Sequence, residues 1–170
     1  MSAAKTNRKL HRLGAIVTAV PVLVIFLTGF VLQLKKDWSW VQPPTQRGSV
    51  EVPAIDFERI LASASAVTEA EIFSWKDVDR LDVRPGKGVV KVRSNNRWEV
   101  QLDLGSAEVL SSTYRRSDWI ESLHDGSWFH DKVKLWVFLP TAGLLIGLWF
   151  TGMYLWFLPY LVKRRRKVKA

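Results

Sequence analysis

Two long stretches without a charged side chain lie near the two ends of the chain, at residues 13–34 and 135–162. A helix of the first length reaches roughly 33 Å at about 1.5 Å per residue, enough to cross a hydrocarbon core of about 30 Å. We therefore expect two transmembrane helices. The first run exceeds the apolar core of a signal peptide, about 7–15 residues, and no small-residue cleavage site follows it. It is expected to remain as an uncleaved anchor.

The segment between these runs, residues 35–134, has the polar and apolar alternation of a small folded domain. Apolar positions in residues 55–66 recur at helical spacing, and Asp56 is a candidate N-cap. Strict alternation over residues 98–104 predicts a strand with one buried face. Strands are expected at residues 81–84, 89–93, 98–104 and 108–110, with turns at residues 85–88 and 94–97.

A last helix is expected to connect this domain to the second apolar run. Ser117 is its candidate N-cap, and the helix is predicted to continue through Leu123 or beyond. The predicted fold class is therefore a membrane α+β protein. Two transmembrane helices flank one small domain, built from a helix and an antiparallel sheet.

Charge is concentrated in two tails, residues 1–12 and 163–170. The first carries four Lys or Arg residues and the second six, and neither carries an acid. The rest of the chain has 15 cations against 16 acids, so the pI of about 10.0 comes from the tails. Nucleic-acid binding needs cations spread over a folded face, and we expect no nucleic-acid partner. Basic tails instead predict cytoplasmic termini, with residues 37–130 approximately outside the cytoplasm.

Aromatic residues lie next to the inner flanks of both apolar runs. Their amphipathic rings are best solvated at a membrane interface, so they predict an aromatic belt on the outer side. These residues are Trp38, Trp40, Trp128, Phe129 and Trp136. The C-terminal basic run is a topology signal that is also expected to attract anionic lipid.

Catalytic and metal-binding patterns are weak. The chain has no cysteine, which excludes disulfides, thiolate catalysis and Cys-ligated metals. Asp103 and Glu108 flank a turn, and they are expected to be surface charges because no pocket is indicated there. Acids at residues 77–82 do not have the spacing of a calcium loop. We therefore predict no catalytic residue and no metal site.

Three stretches resemble the PepSY-associated transmembrane protein family. Residues 10–14 read Leu-His-Arg-Leu-Gly and lead into a helix that contains Thr28-Gly29. Residues 100–110 look like the end of a PepSY repeat. Residues 122–126 read Ser-Leu-His-Asp-Gly and lead into a helix that contains residues 151–156. The resemblance implies a bacterial inner-membrane protein whose PepSY-like domain, residues 35–134, lies in the periplasm.

The family also includes larger proteins with more helices, some of which are haem-containing reductases of iron–siderophore complexes. This chain has two helices and lacks any flavin or nicotinamide fingerprint. Its candidate axial ligands for haem b are His11, His124 and His130. His11 lies on the inner side and the other two on the outer side, about 30 Å apart. A bis-imidazole site on the inner side therefore requires His11 of a second copy, whereas on the outer side His124 and His130 could pair with each other or across a dimer. Such a homodimer would be a four-helix bundle.

Small and mildly polar residues form a stripe along each predicted helix. They predict helix–helix packing, within the chain or in a dimer, and the alternative is that the glycines make room for a porphyrin. The stripes are His11, Gly14, Thr18, Pro21, Ile25 and Thr28 in the first helix, and Gly143, Gly147 and Thr151 in the second.

Three functional hypotheses follow. The leading one is a non-enzymatic membrane-anchored module that binds a protein partner or acts as an accessory subunit. The first alternative is a dimeric haem b electron-transfer protein linked to iron–siderophore reduction, which would make it a haem-dependent oxidoreductase. The second alternative, drawn from PepSY modules in inhibitory peptidase propeptides, is a regulator of a periplasmic peptidase. The expected partners are the lipid bilayer and a second copy of the chain or a larger membrane complex.

Overall fold

The chain forms two compact units in a computed structural model that describes residues 3–50 and 52–169. The helical unit comprises Met1–Phe30 and Ser122–Ala170, and the sheet unit comprises Val31–Glu121. The helices are α1 (Ala3–Gln33), α2 (Phe57–Ser65), α3 (Arg116–Asp125), α4 (Asp131–Val133) and α5 (Leu139–Lys169). The strands are β1 (Val78–Arg84), β2 (Val89–Ser94), β3 (Trp98–Asp103) and β4 (Val109–Tyr114).

The helical unit contains two helical stretches that are long and apolar enough to cross a membrane, Ala4–Gln33 and Asp131–Lys163. The second begins with α4, passes through one π-helical segment at Lys134–Phe138, and continues as α5. Gly126 lies before this segment with a φ of 81°, and a Cβ there would overlap the ring of Phe138. The membrane limits predicted at residues 13–34 and 135–162 stay predictions.

The predicted stripe on α1 packs against α5, whereas two glycines of the α5 stripe have no such neighbour. A Cβ on Gly14 would lie 3.1 Å from the Leu148 side chain, and Thr18 is buried. At Gly143 and Gly147, by contrast, a Cβ would meet nothing within 4 Å. The α5 face at these two glycines is therefore open among the described residues, and their packing in a dimer stays a prediction.

The sheet unit is a four-stranded antiparallel meander in the order β1-β2-β3-β4, with α2 against one face. Asp56 caps α2 by accepting from the Arg59 backbone N–H at 2.8 Å, which confirms the predicted cap. Apolar residues of α2, β2 and β3 form one core on this face. Its fully buried members include Ile60, Ala64, Ile72, Val90, Val92, Val100, Leu102 and Leu104.

The opposite face of the sheet is also covered, which corrects the prediction of a half-buried β3. Every β3 residue except Trp98 is buried. An extended segment, residues 41–50, which we call the strap, lies over this face. The Gln101 side chain donates to the Pro44 carbonyl at 3.0 Å and accepts from the Gln46 N–H at 2.8 Å. The alternation of apolar and polar residues in β3 therefore corresponds to two buried faces of the sheet, one apolar and one polar.

Asp103 is 3% exposed, so the expectation that it is a surface charge is wrong, whereas Glu108 is exposed as predicted. The Asp103 carboxylate accepts from the backbone N–H groups of Ser49, Gly105 and Ser106, and from the Ser49 hydroxyl. These donors, led by the Ser49 N–H, lower its pKa from 3.8 to about 2. Asp103 thus fastens the strap to the turn after β3.

Two further details differ from the sequence-based predictions. β1 begins at Val78 and β4 extends to Tyr114, so both strands are longer than expected. Ser117 lies inside the first turn of α3, where its N–H donates to the Val41 carbonyl at 2.8 Å, and it does not cap the helix. The additional strand residues show no clear alternation of polar and apolar side chains. They adopt the strand conformation because they pair with the neighbouring strand.

Candidate functional site

His11 lies in the N-terminal part of α1 and contacts α5 near the middle of that helix. Its Nδ1 atom is 2.8 Å from the Thr151 hydroxyl oxygen. The neighbouring glycine makes this approach feasible, since a Cβ on Gly152 would lie 3.4 Å from His11 Cε1. The imidazole is half-buried rather than enclosed.

His124 makes the same contact at the other end of α1. Its Nδ1 atom is 3.0 Å from the Thr28 hydroxyl oxygen, and a Cβ on Gly29 would lie 3.2 Å from His124 Cε1. Each imidazole is therefore held by a Thr-Gly pair on another helix. Sequence reasoning noted both Thr-Gly pairs but gave them no role toward histidine. The available signal was a Thr-Gly pair at the far end of each apolar run.

The hydrogen bonds of the two threonines bear on the tautomer of both imidazoles. The Thr28 hydroxyl also contacts the Val24 carbonyl, and the Thr151 hydroxyl lies 2.9 Å from the Gly147 carbonyl. A hydroxyl that donates its single proton to such a carbonyl has its oxygen free to accept from an imidazole Nδ1–H. In that arrangement a neutral ring would have its lone pair on Nε2, where it could meet a metal.

His130 has the opposite arrangement. It is exposed, and its Nδ1 accepts from the Lys132 backbone N–H at 3.0 Å, which caps α4. An accepting Nδ1 means that the proton of the neutral ring resides on Nε2. The neutral His130 ring thus presents a donor to its surroundings.

The two threonine-bound imidazoles lie at different levels of the helical unit. His11 and Thr28 are 17 positions apart on α1, which corresponds to roughly 26 Å along the helix axis. One chain therefore supplies a single such imidazole at each level. Among residues 3–50 and 52–169, no group of three His, Asp or Glu side chains could hold a metal ion.

A pocket of about 420 Å³ opens beside the His11 level of the helical unit. Asn7, Phe150, Thr151 and Tyr154 line it, and most of its surface is apolar. The threonine that contacts His11 therefore also lines this pocket.

The sheet unit contains a buried ion cluster under the strap. Glu99, with no exposed surface, is 2.9 Å from Lys91 Nζ and 2.7 Å from Arg115 Nη1. Burial is the largest influence on Lys91 and lowers its pKa, and the bond to Glu99 opposes that shift. Arg93 approaches the same carboxylate at 3.4 Å. Both carboxylate oxygens of Glu99 have a buried cation as partner, which indicates a structural role.

A second surface of the sheet unit is apolar and open. A groove of about 480 Å³ between α2 and β1 is lined by Phe57, Trp75, Val78, Arg80 and Leu81. Phe57 is 66% exposed, and nearby Phe73 is 83% exposed. Large exposed aromatic groups of this kind are typical of interaction surfaces.

Comparison with known proteins agrees with the sequence resemblance. The family model described as the PepSY-associated TM region matches residues 8–169. No curated protein and no solved structure matches the chain. The match covers almost the whole chain, and the two apolar helical stretches and four-stranded sheet fit a membrane α+β protein. The chain therefore belongs to the family of proteins with a PepSY-associated transmembrane region, and it is a membrane protein.

Proposed function

We propose that the chain is a haem b electron-transfer subunit that acts as a homodimer. His11 and His124 would be the axial ligands at two levels, each paired with the same residue of the second copy. The observation that carries the proposal is the contact of each imidazole Nδ1 with a threonine hydroxyl, at 2.8 Å for His11 and 3.0 Å for His124, which is compatible with a free lone pair on Nε2. Bound haem would supply a one-electron couple at each level.

The two imidazoles and their threonine partners fit the ligation of haem. A ligating imidazole commonly donates its other ring N–H to an oxygen, which fixes the tautomer and the ring orientation. Thr28 and Thr151 accept in this way. Because one chain has a single such imidazole per level, the second ligand must come from another chain. The open α5 face with Gly143 and Gly147 leaves room for close approach, and a four-helix bundle can hold cofactors in its core.

His130 is outside the proposed ligand set, because its proton lies on Nε2 and its Nδ1 caps α4. This gives a matched control. We place the protein in a bacterial inner membrane with both termini cytoplasmic and the sheet unit periplasmic. The basic tails support that orientation. His11 would then serve the cytoplasmic level and His124 the periplasmic level.

The absorption spectrum of the purified full chain from haem-replete cells tests the proposal. We expect a Soret band, with His11→Ala and His124→Ala each removing about half of the haem per chain and His130→Ala removing none. A colourless wild-type protein would refute it. Equal loss in all three variants would point to a general folding defect and would contradict the assigned ligands.

We keep partner binding by the sheet unit as a second candidate function, supported by the exposed ring of Phe73. Affinity purification from solubilised membranes should recover a stoichiometric protein partner that the Phe73→Ser variant loses. Recovery of this chain alone from both preparations would contradict an accessory role. Regulation of a periplasmic peptidase stays a prediction from the resemblance.

A further inference from the structure

We infer that β1 is a self-association edge at which the sheet units of two copies join into one eight-stranded sheet. This inference supplies the second copy on which the haem proposal depends, but it is argued from the sheet unit alone. β1 is an outer strand of the meander, so its outward backbone groups have no strand partner among the described residues. Such an edge readily accepts another strand.

The charges on β1 are complementary to themselves in one register. A twofold axis through Leu81 places Arg80 of each copy opposite Asp82 of the other, giving two cross-strand ion pairs. An axis through Asp82 would instead place Asp82 opposite itself and Arg80 opposite Arg84, which is repulsive. The charges therefore favour the register centred on Leu81.

The apolar groove beside the edge is the second part of the interface. Leu81 and Val83 pair with core residues of β2, so they lie on the face that carries α2. A twofold axis perpendicular to the sheet keeps both copies of α2 on the same face. The groove containing Phe57 and Trp75 then faces its counterpart across the axis.

A bulge limits the shared ladder, because the register of β1 against β2 shifts between Val78 and Arg80. A short ladder alone would associate weakly in solution. Anchoring in one membrane raises the effective concentration of the second copy, so a small interface with an apolar groove suffices.

The absence of cysteine makes disulfide trapping in native membranes a clean test. In the proposed register Leu81 meets Leu81 of the second copy, with Cβ atoms about 4.5–5.5 Å apart. Leu81→Cys should cross-link on mild oxidation. Val83→Cys, on the same face, should not, because its two copies would be about 13 Å apart. Equal cross-linking of both variants, or of neither in folded protein, would overturn the inference.

Placing the cysteines at Arg80 and Asp82 avoids any folding effect of replacing Leu81. Co-expressed Arg80→Cys and Asp82→Cys chains should form the mixed dimer in preference to either homodimer.

In the Leu81→Cys background, Arg80→Asp should lower cross-linking roughly tenfold, and the double change Arg80→Asp with Asp82→Arg should restore it. A random mixture of dimers, or no effect of Arg80→Asp, would refute the register.

These results are separable from those on haem. The cross-link is read on protein whether or not it contains haem, and the Soret band is read without cross-linking. A haem-containing protein without the Leu81 cross-link would overturn the β1 interface alone. A cross-linked but colourless protein would overturn the haem proposal alone.

Discussion

Asp103→Asn is expected to loosen the strap without altering the volume of the site. The carboxylate accepts from three backbone N–H groups and one hydroxyl, and its pKa falls from 3.8 to about 2. A shift of this size sets an upper limit of about 2 kcal/mol on the contribution to the folding free energy at neutral pH. With a urea slope of roughly 1–3 kcal/mol per molar, the unfolding midpoint should fall by about 1–2 M.

The pH dependence gives the sign of this effect. The pKa of Asp103 is lower in the folded than in the unfolded chain, so its contribution is complete above about pH 4 and is lost as pH falls toward 2. The wild type should therefore lose stability over this window more steeply than the variant, and the two curves should converge near pH 2.

Urea unfolding of the detergent-solubilised full chain, followed by hydrogen exchange in β2 and β3, measures both effects. The matched control is Glu108→Gln, an exposed carboxylate on the same turn, which should change the midpoint little. The reasoning fails if Glu108→Gln costs as much as Asp103→Asn, or if the gap between wild type and Asp103→Asn stays constant down to pH 2.

Three other substitutions test close contacts and the buried charge. Gly48→Ala should cost roughly 1–3 kcal/mol in urea unfolding because its Cβ meets a facing carbonyl, whereas Gly86→Ala, in open space, should cost much less. Gly126→Ala should lower the thermal midpoint of the full chain, because its φ of 81° and the adjacent phenylalanine ring both oppose a side chain; Gly143→Ala should leave that midpoint nearly unchanged. Glu99→Gln should cost about 3–5 kcal/mol in urea unfolding by leaving buried cations uncompensated, and a loss below 1 kcal/mol would contradict this account of the cluster.

The apolar helices were predictable because lipid imposes one requirement on a spanning segment, a long uncharged run. Residues 13–34 and 135–162 therefore pointed to both helical stretches. The sequence could not indicate that Gly143 and Gly147 face away from α1. A small-residue stripe marks a surface for close packing, but it does not say which surface lies opposite.

The sheet was predicted less completely, for a different reason. Alternation in β3 correctly indicated a strand. It cannot distinguish a polar face that is exposed to water from a polar face that is buried against charged side chains. Glu99 and Gln101 are buried because Lys91, Arg115 and the strap satisfy them. These partners come from distant parts of the chain, and only the tertiary fold brings them together.

The candidate site was likewise predicted only in part from the sequence. Histidines at helix ends are visible in the sequence, and His11, His124 and His130 were singled out together. Their hydrogen-bond partners differ, because Thr151 and Thr28 contact His11 and His124 from up to 140 positions away, whereas the nearby Lys132 N–H donates to His130. The distinction between two threonine-bound histidines and one helix-capping histidine is therefore a property of the fold.

The two His–Thr pairs have one reason in helix packing and a second under the haem proposal. A hydrogen bond between membrane helices contributes only about 0.6 kcal/mol on average, and apolar side chains could provide comparable contact. An imidazole Nδ1 nevertheless lies within hydrogen-bond distance of a threonine hydroxyl at both ends of α1. If haem is bound as proposed, each threonine would fix Nδ1 as the donor and keep Nε2 free at its level.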